Sequence, residues 1–272
     1  MKYVLLSLLF LFPICPLAQE GALTGGAEDA QKESSAVDKE SIADSEKKHD
    51  RWALVGIIAT IFIIGVILLI VRIVKRREKE RTLILNALAM EIGLDFLPAQ
   101  DDELLAKMQV FSLFNKGCSR EMKNVMKTKT DNVKMTLFDY AYTTGGGENS
   151  KRYSQTIVTL EHDSLSLPKF TLSPKRLFDK IGAALGFQDI DFDEHPEFSK
   201  SFVLKGEDEP AIRKFFDREK LEFFAQRKES YIETAHSFFI YTRDGRKKPE
   251  QIRKFLKEGH AVYTALGGQS LK

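Results

Sequence analysis

Residues 52–71, WALVGIIATIFIIGVILLIV, form an unbroken run of twenty uncharged residues. As a helix rising 1.5 Å per residue the run is ~30 Å long, about the hydrocarbon thickness of a bilayer. No other feature constrains the chain as strongly. A segment this apolar is either buried on all sides or surrounded by lipid. Arg72 interrupts it, and the expected membrane helix covers residues 52–74. Lys75, Arg76, Arg77, Lys79 and Arg81 come directly after. This basic flank is a stop-transfer signal and places the C-terminal part of the chain in the cytoplasm. The same five side chains are expected at the inner leaflet, where anionic lipids attract each by about 1 kcal/mol.

Residues 1–18 read as a signal segment. Lys2 is its charged start, and residues 3–14 (YVLLSLLFLFPI) are apolar but too short to span comfortably. Ala18 offers a small residue before a cut at Gln19. Pro16 stands where a small residue is preferred, so a retained signal anchor is the alternative. Cys15 raises a lipoprotein reading, against which bulky Ile14 argues. Residues 19–51 are acidic and lack aromatic side chains, with nine carboxylates against four lysines. They cannot bury enough apolar surface to offset the cost of ordering, and are expected to be a disordered segment outside the membrane. Acidic outside and basic inside agree with the orientation set by residues 72–81.

Past the membrane run the charges nearly cancel, with 28 acidic and 29 basic residues in 82–272. Such a balance gives no basic face for nucleic acid. The chain has two cysteines, Cys15 and Cys118. A cleaved signal would leave one thiol and no intrachain disulfide, as suits a reducing compartment. The neighbours Lys116 and Arg120 could lower the Cys118 pKa, but a plain structural or surface cysteine is the simpler reading.

Residues 75–98 are expected to begin as a basic juxtamembrane helix. Leu83, Ala87, Leu88 and Ile92 fall near one face, and Gly93 closes it. Residues 99–272 are expected to be an α+β domain, with a possible sub-boundary near 175. Asp101 can cap a short helix through Met108. Residues 122–130, 133–142 and 153–161 read as strands joined by the turn Asp131-Asn132 and the loop 145–149. With an extended piece over 167–172 they make an antiparallel meander. Next come a helix over 175–185, a strand over 199–205, a helix opened by Pro210, a strand or hairpin over 231–243 and a helix from Pro249. Strands first and mixed elements after suggest α+β over a doubly wound parallel sheet. The twenty phenylalanines, several in pairs such as Phe215-Phe216, are read as core.

Residues 144–152 (TGGGENSKR) resemble a phosphate loop only superficially. Ser150 replaces the glycine before the lysine, Arg152 replaces the Ser/Thr, and a strand comes next in place of a helix. The sharpest candidate for chemistry is residues 189–197, DIDFDEHPE. In an extended segment Asp189, Asp191 and Asp193 project from one side, with His195 close by, a donor set suited to a divalent cation. The calcium-loop pattern fails at Glu194 and Lys200. A solvated segment with Ile190 and Phe192 tucked inward is the bland alternative. There is no HExxH, paired CxxC or GxSxG, and no catalytic residue or cofactor site emerges.

The segments FDYAYTTGGG (138–147) and QDIDFDEHPEFSKSFVLKGEDE (188–209) resemble a family of bacterial membrane-anchored proteins. Its members share an FDY-x-Y-T-x-G strand and loop and a DIDF…P-x-FS stretch before a helix. The likeness covers roughly residues 80–265. It implies a bacterial source and an inner-membrane anchor, and it assigns no reaction and no functional residue. The expected function is therefore a membrane-anchored cytoplasmic interaction or scaffolding protein whose partners are the bilayer and an unidentified protein. A metal-binding domain or metal-dependent enzyme using Asp189, Asp191, Asp193 and His195 is the alternative.

Overall fold

The computed structural model describes residues 30–128, 133–163, 165–176 and 188–268. The signal segment falls outside them, as does most of the helix expected over 175–185. The chain divides into two units, Met1–Val71 and Arg72–Lys272.

One helix, α1 (Ala30–Glu91), carries the apolar run. It includes a segment long and apolar enough to cross a membrane. Nearly all of its large apolar side chains from Trp52 to Ile73, such as Phe62 and Leu68, are exposed, as lipid-facing side chains would be. The helix begins at Ala30, so the backbone of residues 30–51 is helical where irregular chain was expected. Low hydrophobicity rules out a packed core but not helix. Ala, Glu, Lys and Gln are good helix formers, and a helix already nucleated by the apolar run extends at little cost.

The second unit is built on an eight-stranded sheet in which every paired neighbour is antiparallel. The strands are β1 (Asp95–Leu97), β2 (Cys118–Lys127), β3 (Lys134–Thr144), β4 (Lys151–Glu161), β5 (Phe170–Pro174), β6 (Phe202–Gly206), β7 (Tyr231–Ala235) and β8 (Phe238–Thr242). Their spatial order is β1-β2-β3-β4-β8-β7-β5-β6. The expected meander holds for β2-β3-β4, but β5 does not continue it. The β7–β8 hairpin enters between β4 and β5, pairing Ile157–Glu161 with Phe238–Thr242. The sheet therefore runs on across residue 175, and both halves share it.

Short helices close the unit: α2 (Asp102–Met108), α3 (Pro196–Ser201), α4 (Glu209–Phe215), α5 (Arg218–Ala225) and α6 (Ile252–Ala265). Asp101 and Asp208 cap α2 and α4, each accepting from the backbone N–H three residues on. Residues 199–205 differ from the expected strand. Pro196 opens α3 and its fixed φ starts the turn, so the strand begins only at Phe202.

Alternation along β3 separates two cores. Leu137 faces one, with Val158, Tyr241, Phe255 of α6 and the aromatic hub around Phe216. Phe138, Tyr140 and Tyr142 face the other, beneath α2 and the turn Ser112–Asn115. The last turns of α1 belong to the first core. Leu85 and Ala89 are fully buried there, and Leu88 and Ile92 pack against it. Leu83, expected on the inward face, is exposed instead, as are Ile84 and Met90. The helix carries two apolar stripes, and the sheet takes the one through Leu85. Gly93, in a left-handed conformation (φ +76°), ends the helix. Leu94 donates back to the Ala89 carbonyl at 2.8 Å, and the chain turns into β1.

Candidate functional site

Among the described residues, Asp139, in the middle of β3 and 5% exposed, is the most heavily hydrogen-bonded side chain. Strand alternation points it away from Phe138 and Tyr140, toward α1. Arg81 grips it with two parallel bonds of 2.8 Å, Nε to Oδ2 and Nη2 to Oδ1. Asn124 Nδ2 donates at 3.0 Å, Thr156 Oγ1 at 2.9 Å and Arg246 Nη2 at 3.3 Å. Arg246 also forks onto Glu78 of α1, at 2.8 and 3.0 Å. Thr82 of α1 donates to Asn124 Oδ1 at 2.9 Å. The third Arg81 nitrogen, Nη1, donates to the Lys247 carbonyl at 2.8 Å. Glu78, Arg81, Thr82 and Leu85 recur at helical spacing, so one stripe of α1 supplies the whole set.

Burial alone would raise the Asp139 pKa. The hydrogen bonds and charge of Arg81, with Arg246 and Asn124, outweigh it and hold the carboxyl below the usual range. Asn124 reaches the site from an irregular step in the β2–β3 register and takes a left-handed backbone (φ +54°). Such a bulge re-aims a side chain, and asparagine tolerates that conformation better than most residues.

Arg81, expected among the cations at the membrane surface, lies on the stripe that faces the sheet and is partly buried against Asp139. Arg76 pairs along the helix with Glu80 at 2.8 Å. Lys75, Arg77 and Lys79 are exposed. A cavity of about 420 Å³ adjoins the network, with Lys75, Glu121, Lys123 and Arg152 in its wall beside Glu78, Asp139 and Arg246.

The residues of the acidic segment have different surroundings. Ile190 is buried and Phe192 packs on the core, as read from the alternation. Asp189 accepts from the Leu204 N–H at 2.8 Å, and the Ile190 N–H donates to the Leu204 carbonyl at 2.8 Å. Together they cover the outer edge of β6. Burial, helped by Asp191, raises the Asp189 pKa against that hydrogen bond. Asp191 and Asp193 are exposed. Asp193 and His195 line an open groove together with Glu194, Glu222, Arg213 and Arg218, the two arginines being paired with Glu209 and Glu222. Among the described residues no group of three or more His, Cys, Asp or Glu is placed to hold a metal ion.

Two further buried polar features were not anticipated. Glu233 accepts from the N–H groups of Ser112 and Leu113, at 2.6 and 2.9 Å, and from the Tyr231 hydroxyl. Burial pushes the nearby Lys116 ammonium down to about 8, partly offset by Glu233. Cys118 is free and exposed. The legible sign of the Asp139 site was a carboxylate inside the apolar strand FDYAY, where a charge is tolerated only when paired.

No known protein family matches the chain. No curated protein matches it. A solved structure that it resembles is the crystal structure of the mycobacterial trehalose monomycolate transport factor A, TtfA. The two are 13% identical with a TM-score of 0.48, over 71% of this chain and 98% of that one.

Proposed function

We propose that the chain is a single-pass, membrane-anchored interaction platform of the bacterial inner membrane, with residues 72–272 on the cytoplasmic side. The observation that carries this reading is that one helix, α1, contains both the apolar run and side chains of the domain core. Leu85 and Ala89 pack under the sheet, and Glu78, Arg81 and Thr82 bond to it. Only three residues lie between Val74, the last of the expected span, and Glu78.

The other stripe of α1 supports an interaction role. Leu83, Ile84 and Met90 are each more than half exposed, with Leu83 and Met90 on the face opposite the buried one and Ile84 at its flank. Grouped apolar exposure of this kind marks contact surfaces more often than scattered single residues do. Photocrosslinking residues placed at Leu83 and Met90 in living cells test this directly. A discrete crosslinked species in the membrane fraction, lost when Leu83 and Ile84 become Ser, supports the platform reading. The competing reading is a metal-dependent activity at the segment that carries Asp189, Asp191, Asp193 and His195. Stoichiometric metal in the purified chain that disappears in Asp191→Asn and His195→Ala would replace the platform with that reading.

A further inference from the structure

The cavity beside the Asp139 network carries more positive charge than its carboxylates answer. Lys75, Lys123, Arg152 and Arg246 line it, against Glu78, Glu121 and Asp139. Arg246 is committed to Glu78 and Asp139, and Arg81 behind it shares Asp139. Lys123 and Arg152 converge from two different strands on the same Glu121, at 2.5 and 2.6 Å, so one carboxylate serves two cations. Both side chains remain about half exposed. Lys75 has no ion-pair partner among the described residues. The cavity lining therefore carries one positive charge in excess, four cations against three carboxylates, and the least committed cations are Lys75, Lys123 and Arg152. Burial raises Glu121, but its two cations hold its carboxyl below the usual range, so it stays charged and does not release them by protonation at neutral pH.

The place of the cavity in the chain narrows the ligand. Val74 and Lys75, which form its helical wall, sit just past the apolar run. The volume lies within the range of sites for small ligands, roughly 300–1,000 Å³. An arginine fork with two lysine ammoniums is the donor set that suits a phosphate group. We propose that this cavity receives the phosphate of an anionic phospholipid head group, with Lys75, Lys123 and Arg152 as its cations. The proposal rests on the membrane-anchored reading. It differs from general attraction to the inner leaflet because Lys123 and Arg152 come from the sheet and not from the basic flank of the span.

The test uses the purified full chain in detergent, titrated with phosphatidylglycerol or phosphatidylcholine and read by native mass spectrometry. One phosphatidylglycerol should be retained in preference to phosphatidylcholine. Lys75→Gln, Lys123→Gln and Arg152→Gln should each weaken retention roughly fivefold, the factor that about 1 kcal/mol per basic residue converts to. Arg77→Gln and Lys79→Gln, which neutralise flank charges outside the cavity, should change it less than twofold. Thermal melts of each variant show that the domain is still folded, and these side chains are exposed enough to be replaced without loss of core. Equal loss in the cavity and flank variants would overturn the proposal, as would equal retention of the two lipids. Displacement of the lipid by millimolar inorganic phosphate would assign the cavity to the free anion and overturn the lipid source. The anchoring reading is scored separately, by whether the chain stays with the membrane fraction in salt and carbonate.

Discussion

Replacing Asp139 by asparagine keeps the side-chain shape and removes the charge on which Arg81 and Arg246 converge. Asp139 accepts five hydrogen bonds, and the Arg81 side chain is only 13% exposed. Breaking a buried pair from one side costs about 3–5 kcal/mol, because the partner charge is left without compensation. The partial exposure of Arg246 and its second carboxylate, Glu78, argue for the lower end, ~3 kcal/mol. For a domain of about 200 residues each kcal/mol moves Tm by roughly 2–4 °C, so the expected drop is roughly 6–12 °C. Circular dichroism of the purified chain measures it. The pH dependence checks the cause. The folded Asp139 pKa lies below its unfolded value, so this group stabilises the domain above the unfolded pKa of about 3.9. That contribution is lost as pH falls through the folded pKa. Asp139→Asn should therefore flatten the acid limb of the wild-type stability curve. A Tm within 2 °C of wild type, or an unchanged acid limb, would refute the claim that this pair holds α1 to the sheet.

The two stripes of α1 predict opposite outcomes. Leu85→Ala should cost about 2–5 kcal/mol, and Leu83→Ala should stay within about 0.5 kcal/mol, both read by urea denaturation. Gly117→Ala should lower Tm, because a Cβ there would sit 2.1 Å from the Thr143 carbonyl oxygen at φ +58°. The left-handed backbone alone costs an L-residue about 1–2 kcal/mol. Asp189→Ala should cost about 1–3 kcal/mol by leaving the Leu204 N–H unpaired. Hydrogen exchange at Leu204 should quicken in that variant, and exchange at Leu137 should not.

Local chemistry made some of this architecture legible. The apolar run, the cap at Asp101 and the strands β2, β3 and β4 all arise from short-range patterns that tertiary contacts reinforce. The insertion of the β7–β8 hairpin beside β4 does not, because antiparallel strands of similar composition can pair in several orders. The inward stripe of α1 was ambiguous for a related reason. Leu83 and Leu85 both lie on apolar stripes, and only the position of Arg81 over Asp139 decides between them. That pairing joins residues 58 apart in sequence, beyond any local signal. The alternating carboxylates 189–193 show the opposite hazard. Their spacing suits metal ligands, yet Asp189 is spent on the backbone edge of β6, which no pattern of residues announces.

The proposed cytoplasmic orientation of the domain is measurable through Cys118. This thiol is exposed, and Cys15 is the one other cysteine in the chain. In a Cys15→Ser background, intact spheroplasts are treated with a membrane-impermeant maleimide before and after permeabilisation. A cytoplasmic domain predicts labelling of Cys118 only after permeabilisation. A control with Ser35→Cys and Cys118→Ser should be labelled in intact spheroplasts. Labelling of Cys118 in intact spheroplasts would put residues 72–272 on the outer side and contradict the proposed orientation.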